Sequence, residues 1–194
     1  LQGAFAGQGG ERMTKPMVLG LLVAIALFWA VGAYNRLVRL RSEVVKAYSA
    51  LDNVLSVHPA VIKAAQPLAD VSQLSPDALW SRLVAAGEQF AQALANARAH
   101  PLDPDAIRVL SAARGVLTEV WQATDGDSPE GSTLPESLRA RLAALDEQAA
   151  LPAAAFDASV RVYNQAIRQF PALILAGIWS FKPAGTLDWP EAAA

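Results

Sequence analysis

Two histidines, His58 and His100, a few scattered carboxylates and no cysteine make up the stock of groups in this chain that could do chemistry. Without cysteine there is no thiolate nucleophile, no disulfide framework and no Cys-based metal site. Each histidine precedes a proline, which places it at a helix end. No Glu-x-x-His occurs, so a carboxylate-bridged di-metal bundle has no ligand set here. Glu88, Asp146 and Glu147 fall beside helical stripes and read as members of solvated faces. No Gly-x-Ser-x-Gly and no phosphate-binding loop is present. Gly87 and Gly177 sit inside helical patterns, where close helix packing is the expectation. The sequence therefore offers no catalytic, cofactor-binding or metal-binding residue, and an enzyme is not expected.

The elements around these residues are more informative. The chain has 194 residues, 53% of them hydrophobic and only 18% charged, with a net charge of -2. The charged fraction lies below the usual quarter, and the balance excludes the basic stripe of a general nucleic-acid binder. Residues 1–16 read as a disordered leader. From Met17 to Tyr34 run eighteen residues without a charge, MVLGLLVAIALFWAVGAY. A helix of that length covers roughly 27 Å, close to the ~30 Å hydrocarbon core of a bilayer. Its nine Leu, Ile, Val and Phe residues favour insertion by on the order of 3 to 5 kcal/mol. Pro16 suits a first helical turn. A transmembrane anchor over 17–34 is the reading that continuity favours. A cleaved signal peptide ending at Val31-Gly32-Ala33 and a buried core helix are the alternatives.

Continuity comes from the stripe that follows, with Leu37, Val44 and Leu51 on one line and Leu40, Ala47 and Val54 on the next. Arg36, Arg39, Arg41 and Lys46 follow the span, against Arg12 and Lys15 before it. The positive-inside rule then places the body in the cytoplasm. His58-Pro59 is expected to end the first helix. Ser75-Pro76-Asp77 and Asp103-Pro104-Asp105 are helix starts. The first opens a stripe of Trp80, Leu83, Val84, Gly87, Phe90, Leu94 and Ala97. The second opens Ile107, Leu110, Ala113, Leu117 and Val120. Thr124 to Thr133 reads as a mobile surface loop. The last stripe begins near Pro135 with Leu138, Leu142 and Leu145. It continues through Phe156, Val160, Tyr163, Ile167, Phe170 and Ile174, with a kink expected at Pro152. No strand-like alternation occurs. The expected fold is all-α: an N-terminal transmembrane helix continuing into an elongated antiparallel four-helix bundle over 35–183, with a tail over 184–194.

Two blocks carry a family resemblance. Tyr34-Asn35-Arg36-Leu37-Val38-Arg39-Leu40-Arg41, followed by Ala47-Tyr48-Ser49 and Asp52, resembles the opening of LemA-family proteins. Tyr163-Asn164-Gln165-Ala166-Ile167-Arg168-Gln169-Phe170-Pro171, with Phe181-Lys182-Pro183, is similar to the family's ending. The middle departs from it: LSVHPAVIKAAQPLA stands where a basic pair and a DLIPNLV-like phrase are usual, and Pro152-Ala153 and Phe156-Asp157 where Ala-Arg and a further Tyr-Asn are usual. The resemblance implies a bacterial membrane-anchored four-helix bundle without an established enzymatic activity.

Counting helix reversals, the apolar stretch Phe170 to Phe181 returns to the bilayer surface, where Trp179 and Trp189 would anchor and Lys182 would reach head groups. The alternative is that Leu173, Ile174 and Ile178 cap the bundle core. Tyr34–Asn35 and Tyr163–Asn164 would meet as a polar contact at the same end. Two functions fit: a membrane-tethered adaptor with an unidentified protein partner, open to homo-oligomerisation, and a small-ligand or lipid-handling module with a pocket between its helices.

Overall fold

The computed structural model describes residues 10–71, 78–122, 134–170, 172–187 and 189, and among these every regular element is a helix. They are α1 (Gly10–Leu55), α2 (Val57–Val71), α3 (Ala78–Ala99), α4 (Pro104–Gln122), α5 (Glu136–Arg168) and α6 (Ala172–Ile178). The loop 124–133, the Ser75-Pro76-Asp77 start and residues 1–9 of the leader lie outside the described residues.

The first helix begins at Gly10, so the expected leader is helical from that point. Pro16 accordingly falls inside the helix rather than in its first turn. Beyond the apolar run, Leu37, Leu40, Val44, Tyr48, Leu51 and Leu55 are all buried, with Ala47 and Val54 packed beside them. The heptad stripe thus becomes the core face of α1. The first helix ends at Leu55, close before His58-Pro59 as expected, but the chain does not reverse there. A single turn residue, Ser56, separates α1 from α2, and its N–H still reaches Asp52 O at 2.9 Å. Pro59 is then the third residue of α2, in the first turn, where a missing N–H costs nothing.

The chain instead reverses between α2 and α3. Gly87 backs onto Ile62, and His58 meets Phe90 edge-on with ring centroids 5.9 Å apart. A Cβ on Gly87 would stand 3.1 Å from Ile62 Cδ1, so the absence of a side chain lets the two helices approach. Asp103 Oδ1 accepts the Asp105 N–H at 3.1 Å as α4 begins, and Ile107, Leu110, Ala113, Leu117 and Val120 are buried against α3. α5 runs through Pro152 as one helix of 33 residues. It lies antiparallel to α1 and α2, with Phe156 against Tyr48 of α1 and Asp146 near His58 of α2. The expected stripe holds as far as Ile167; Phe170 and Ile174 leave the core. Pro171 in the sequence biases Phe170 away from helical geometry, and Gln169 is already extended (ψ 140°).

Two residues of the expected tail, Ala184 and Leu187, belong to the core. After α6, Ser180 adopts a left-handed conformation (φ 56°) and the Phe181 N–H bonds Ala176 O at 3.0 Å, closing the helix. The chain then runs back as an extended strap, and Ala184 and Leu187 are buried. The strap lies between α4 and α5, bonded by Ser111 on one side and by Asp157 and Asn164 on the other. A Cβ on Gly185 would sit 2.7 Å from Pro104 Cα, so only glycine allows the strap this close to the start of α4.

Candidate functional site

Two regions collect the polar and the exposed apolar groups. The first is the seam that holds the strap. Asn164 donates from Nδ2 to Ala184 O and accepts the Ala184 N–H on Oδ1, both at 2.8 Å. Its amide thereby pairs the strap backbone as a neighbouring strand would. Tyr163 Oη donates to Lys182 O at 3.0 Å, and burial pushes its phenol above the usual range. Asp157, 5% exposed, accepts the Leu187 N–H at 2.7 Å, and Ser111 Oγ of α4 donates to Leu187 O at 3.0 Å. Tyr163–Asn164 therefore holds the strap, while Tyr34 stacks obliquely on Trp179 at 5.4 Å and on Phe181 at 6.0 Å. The polar contact expected between the two Tyr-Asn pairs is replaced by separate partners. In the sequence, the run Phe156-Asp157 followed by Tyr163-Asn164 gave no sign of a strap, because all three polar partners on the strap are backbone groups.

Replacing Asn164 by Ala removes two hydrogen bonds and strands the Ala184 backbone. The expected loss is about 2 kcal/mol in strap docking. Amide hydrogen exchange at Ala184 and Leu187 should then quicken about thirtyfold. Unchanged exchange would mean that Leu187 packing alone secures the strap.

Farther along the seam, Asp146 is not on a solvated face. It accepts from Arg114 at 3.1 Å and lies 3.3 Å from His58 Nε2. His58 is 3% exposed and the approach to Asp146 is too poorly aligned for a hydrogen bond. Arg114 stacks over Trp189 with its Cζ 3.5 Å from the ring centroid. Burial pulls the Arg114 guanidinium below its ordinary range, partly opposed by Asp146. Trp189 is thus fixed on the body, well away from Tyr34, and is not an interface anchor. Glu88 and Glu147 are exposed, as expected, and His100 closes α3 with its Nδ1 3.3 Å from Asn96 O. At the same end of α3, Arg98 forks onto both oxygens of Asp52 at 2.9 and 3.0 Å. Among the described residues no group of three potential metal ligands is brought together.

The second region is apolar and exposed. Every large side chain from Met17 to Trp29 is uncovered, Phe28 reaching 84% exposure. This is the one helix among the described residues that is long and apolar enough to cross a membrane, and none of that window is buried. The core-helix alternative fails on this point. Beside its end lies α6, with Phe170 (71% exposed), Leu173, Ile174, Ile178 (67% exposed) and Trp179 all turned outward. Phe170 packs on Trp29 at 5.3 Å and Trp179 on Tyr34 at 5.4 Å. The core-capping alternative for Leu173, Ile174 and Ile178 fails with their exposure; Ala172, Leu175 and Ala176 do the packing instead. Gly177 has open space around it and packs no helix. Between α1, the end of α5 and α6 is a half-open crevice of about 290 Å³.

Comparison with protein-family models, with curated proteins and with solved structures gives no match.

Proposed function

We propose that this chain is a membrane-tethered, non-enzymatic helical scaffold of the LemA type. In this reading residues 17–34 cross the inner membrane of a bacterium. α1–α2, α3, α4 and α5 form an antiparallel four-helix bundle on its cytoplasmic face, and the bundle presents a surface to a protein partner. One observation carries the reading: an uncovered apolar helix runs without interruption into the packed core of the body. A soluble protein exposing so long an apolar surface would be strongly disfavoured in water. A signal peptide would not share a helix with the core it precedes.

The α6 segment supports the same reading. Phe170 is level with Trp29 and Trp179 with Tyr34. Five residues of helix separate those levels, so the turn before α6 reaches roughly 7–8 Å below the top of the span. That matches the depth at which interfacial helices lie, about 5–10 Å. The absence of an enzymatic role is supported by the fate of the ionisable groups: Asp146, Arg114 and Asp157 are committed to internal contacts. The ligand-module alternative would use a cavity deep between the bundle helices, whereas the crevice described above lies at their base, where α1 and α5 meet α6.

The chain has no cysteine, so single engineered cysteines test the reading cleanly. Glu119→Cys, exposed on α4, should react with a membrane-impermeant maleimide only after spheroplasts are broken. Ile178→Cys should resist that reagent even then, yet accept a lipophilic maleimide. Labelling of Glu119→Cys in sealed spheroplasts would put the body on the opposite side. Ready labelling of Ile178→Cys by the impermeant reagent would remove α6 from the bilayer.

A further inference from the structure

The crevice at the base of the body has a shape and a charge suited to one kind of occupant. Phe28, Trp29 and Gly32 of α1 form one wall, and Phe170 and Ala172 form the other. These surfaces are continuous with the uncovered apolar run, so the crevice opens onto whatever surrounds that run. Its volume of about 290 Å³ is at the lower end for small-molecule sites. It suits a segment of flexible chain rather than a compact ligand. Gly32 creates the space: a Cβ there would meet nothing within 4 Å.

The crevice is not apolar throughout. Arg36 and Gln169 line it too, and Arg36 stands two residues beyond Tyr34, where the apolar run ends. That places its charge about 3 Å above the end of the span. The neighbouring Arg39 pairs with Glu43 at 3.6 Å, whereas Arg36 has no ion-pair partner among the described residues. An apolar slot ending in an unpaired guanidinium, at the height where hydrocarbon gives way to head groups, matches the two halves of a phospholipid. A guanidinium fork engages a phosphate through two parallel hydrogen bonds.

We propose that this crevice holds one acyl chain of an anionic phospholipid, with its phosphate against Arg36 and Gln169 beside it. The proposal rests on the reading that residues 17–34 cross the bilayer. The bound lipid fills the gap between α1 and α6 and completes the surface that faces the membrane.

The test uses the full chain in nanodiscs of phosphatidylcholine containing a minor share of phosphatidylglycerol. Gentle release into detergent is followed by native mass spectrometry. The parent should retain one lipid per chain and favour phosphatidylglycerol over its share of the bilayer by about fivefold, the worth of one basic residue at a membrane surface. Arg36→Gln should keep a lipid but lose that preference. Gly32→Leu puts a bulky side chain into the slot from a position whose Cβ has open space, and should retain none while its helical signal in circular dichroism stays that of the parent. Retention by Gly32→Leu at the parent's level, or an undiminished preference in Arg36→Gln, would overturn the proposal. Displacement of the preference by inorganic phosphate would also overturn it, since a free anion would then be the ligand. A chain that enters nanodiscs but retains no lipid sinks this proposal alone. A chain that does not enter them sinks the membrane reading beneath it.

Discussion

Exchanging both Leu22 and Ile25 for arginine should strip the chain from the membrane. Each aliphatic residue contributes roughly -0.3 to -0.6 kcal/mol to insertion at a helix centre, and each arginine costs about 2.5 to 3.5 kcal/mol. Two exchanges therefore shift the balance by about 6–8 kcal/mol. The whole apolar run supplies only on the order of 3–5 kcal/mol, so the sign of insertion reverses. Neither side chain touches the body, since both are exposed on the uncovered part of α1. The folded core should consequently survive, and the melting profile in detergent should match that of the parent. Alkaline carbonate extraction is the direct measurement: the parent stays with the membrane pellet and the double variant leaves it. A variant that remained in the pellet would show that residues 17–34 are not the anchor. The exposed face of α6 is too small to replace them. A short interfacial contact gives reversible attachment, unlike a spanning helix.

The second large effect lies in the core. Phe156 is completely buried, and its ring meets Tyr48 edge-on with centroids 5.7 Å apart. It is the point where α1 and α5 are held together by large side chains, and the next residue, Asp157, accepts the strap N–H of Leu187. Phe156→Ala should cost about 3–5 kcal/mol through the lost transfer free energy and the cavity left behind. About 0.5–1.5 kcal/mol of any such loss belongs to the aromatic pair. Against a total stability of ~5–15 kcal/mol this is severe. Denaturant unfolding of the full chain in detergent should show a lower midpoint with the slope unchanged. Leu151→Ala is the control on the same helix. Leu151 is 80% exposed, so its truncation should change stability by less than about 0.5 kcal/mol. Equal effects from the two variants would mean that α5 does not pack through the face described.

Tyr48 also shows how a familiar run of residues acquires a physical role. Burial, with a further push from the Asp52 carboxylate, holds its phenol above the ordinary range. Asp52 is itself forked by Arg98, although Arg98 is too exposed for the pair to add much stability. Tyr48 is thus a core side chain and Asp52 an inter-helix tie. Tyr163 and Asn164 secure the strap that begins at Phe181. These four residues hold α1, α3, α5 and the strap together.

Periodicity made the helical faces legible. The stripes on α1, α3 and α4, and the α5 stripe from Leu138 to Ile167, are buried as their spacing requires, because a helix offers one face every 3.6 residues and apolar side chains must share it. The Asp103-Pro104-Asp105 start was equally local, since a cap needs only its own next turn. Reversals were not legible in the same way. Pro59 and Pro152 both suggested interruption, yet Pro59 falls in a first turn and α5 continues through Pro152, and the first reversal comes only between α2 and α3. The burial of His58 and the pairing of Asp146 with Arg114 were hidden because their partners lie on other helices.

What the sequence determined by itself was the helical class, the uncovered apolar run and the faces that had to be buried, because each follows from neighbours within a turn or two. Tertiary structure decided where α6 sits, that residues 181–187 return as a strap between α4 and α5, and which polar groups meet. The strap depends on side chains paired with backbone N–H and C=O groups 19 to 76 residues away. Such groups are the same in every residue but proline, so no pattern of side chains announces them.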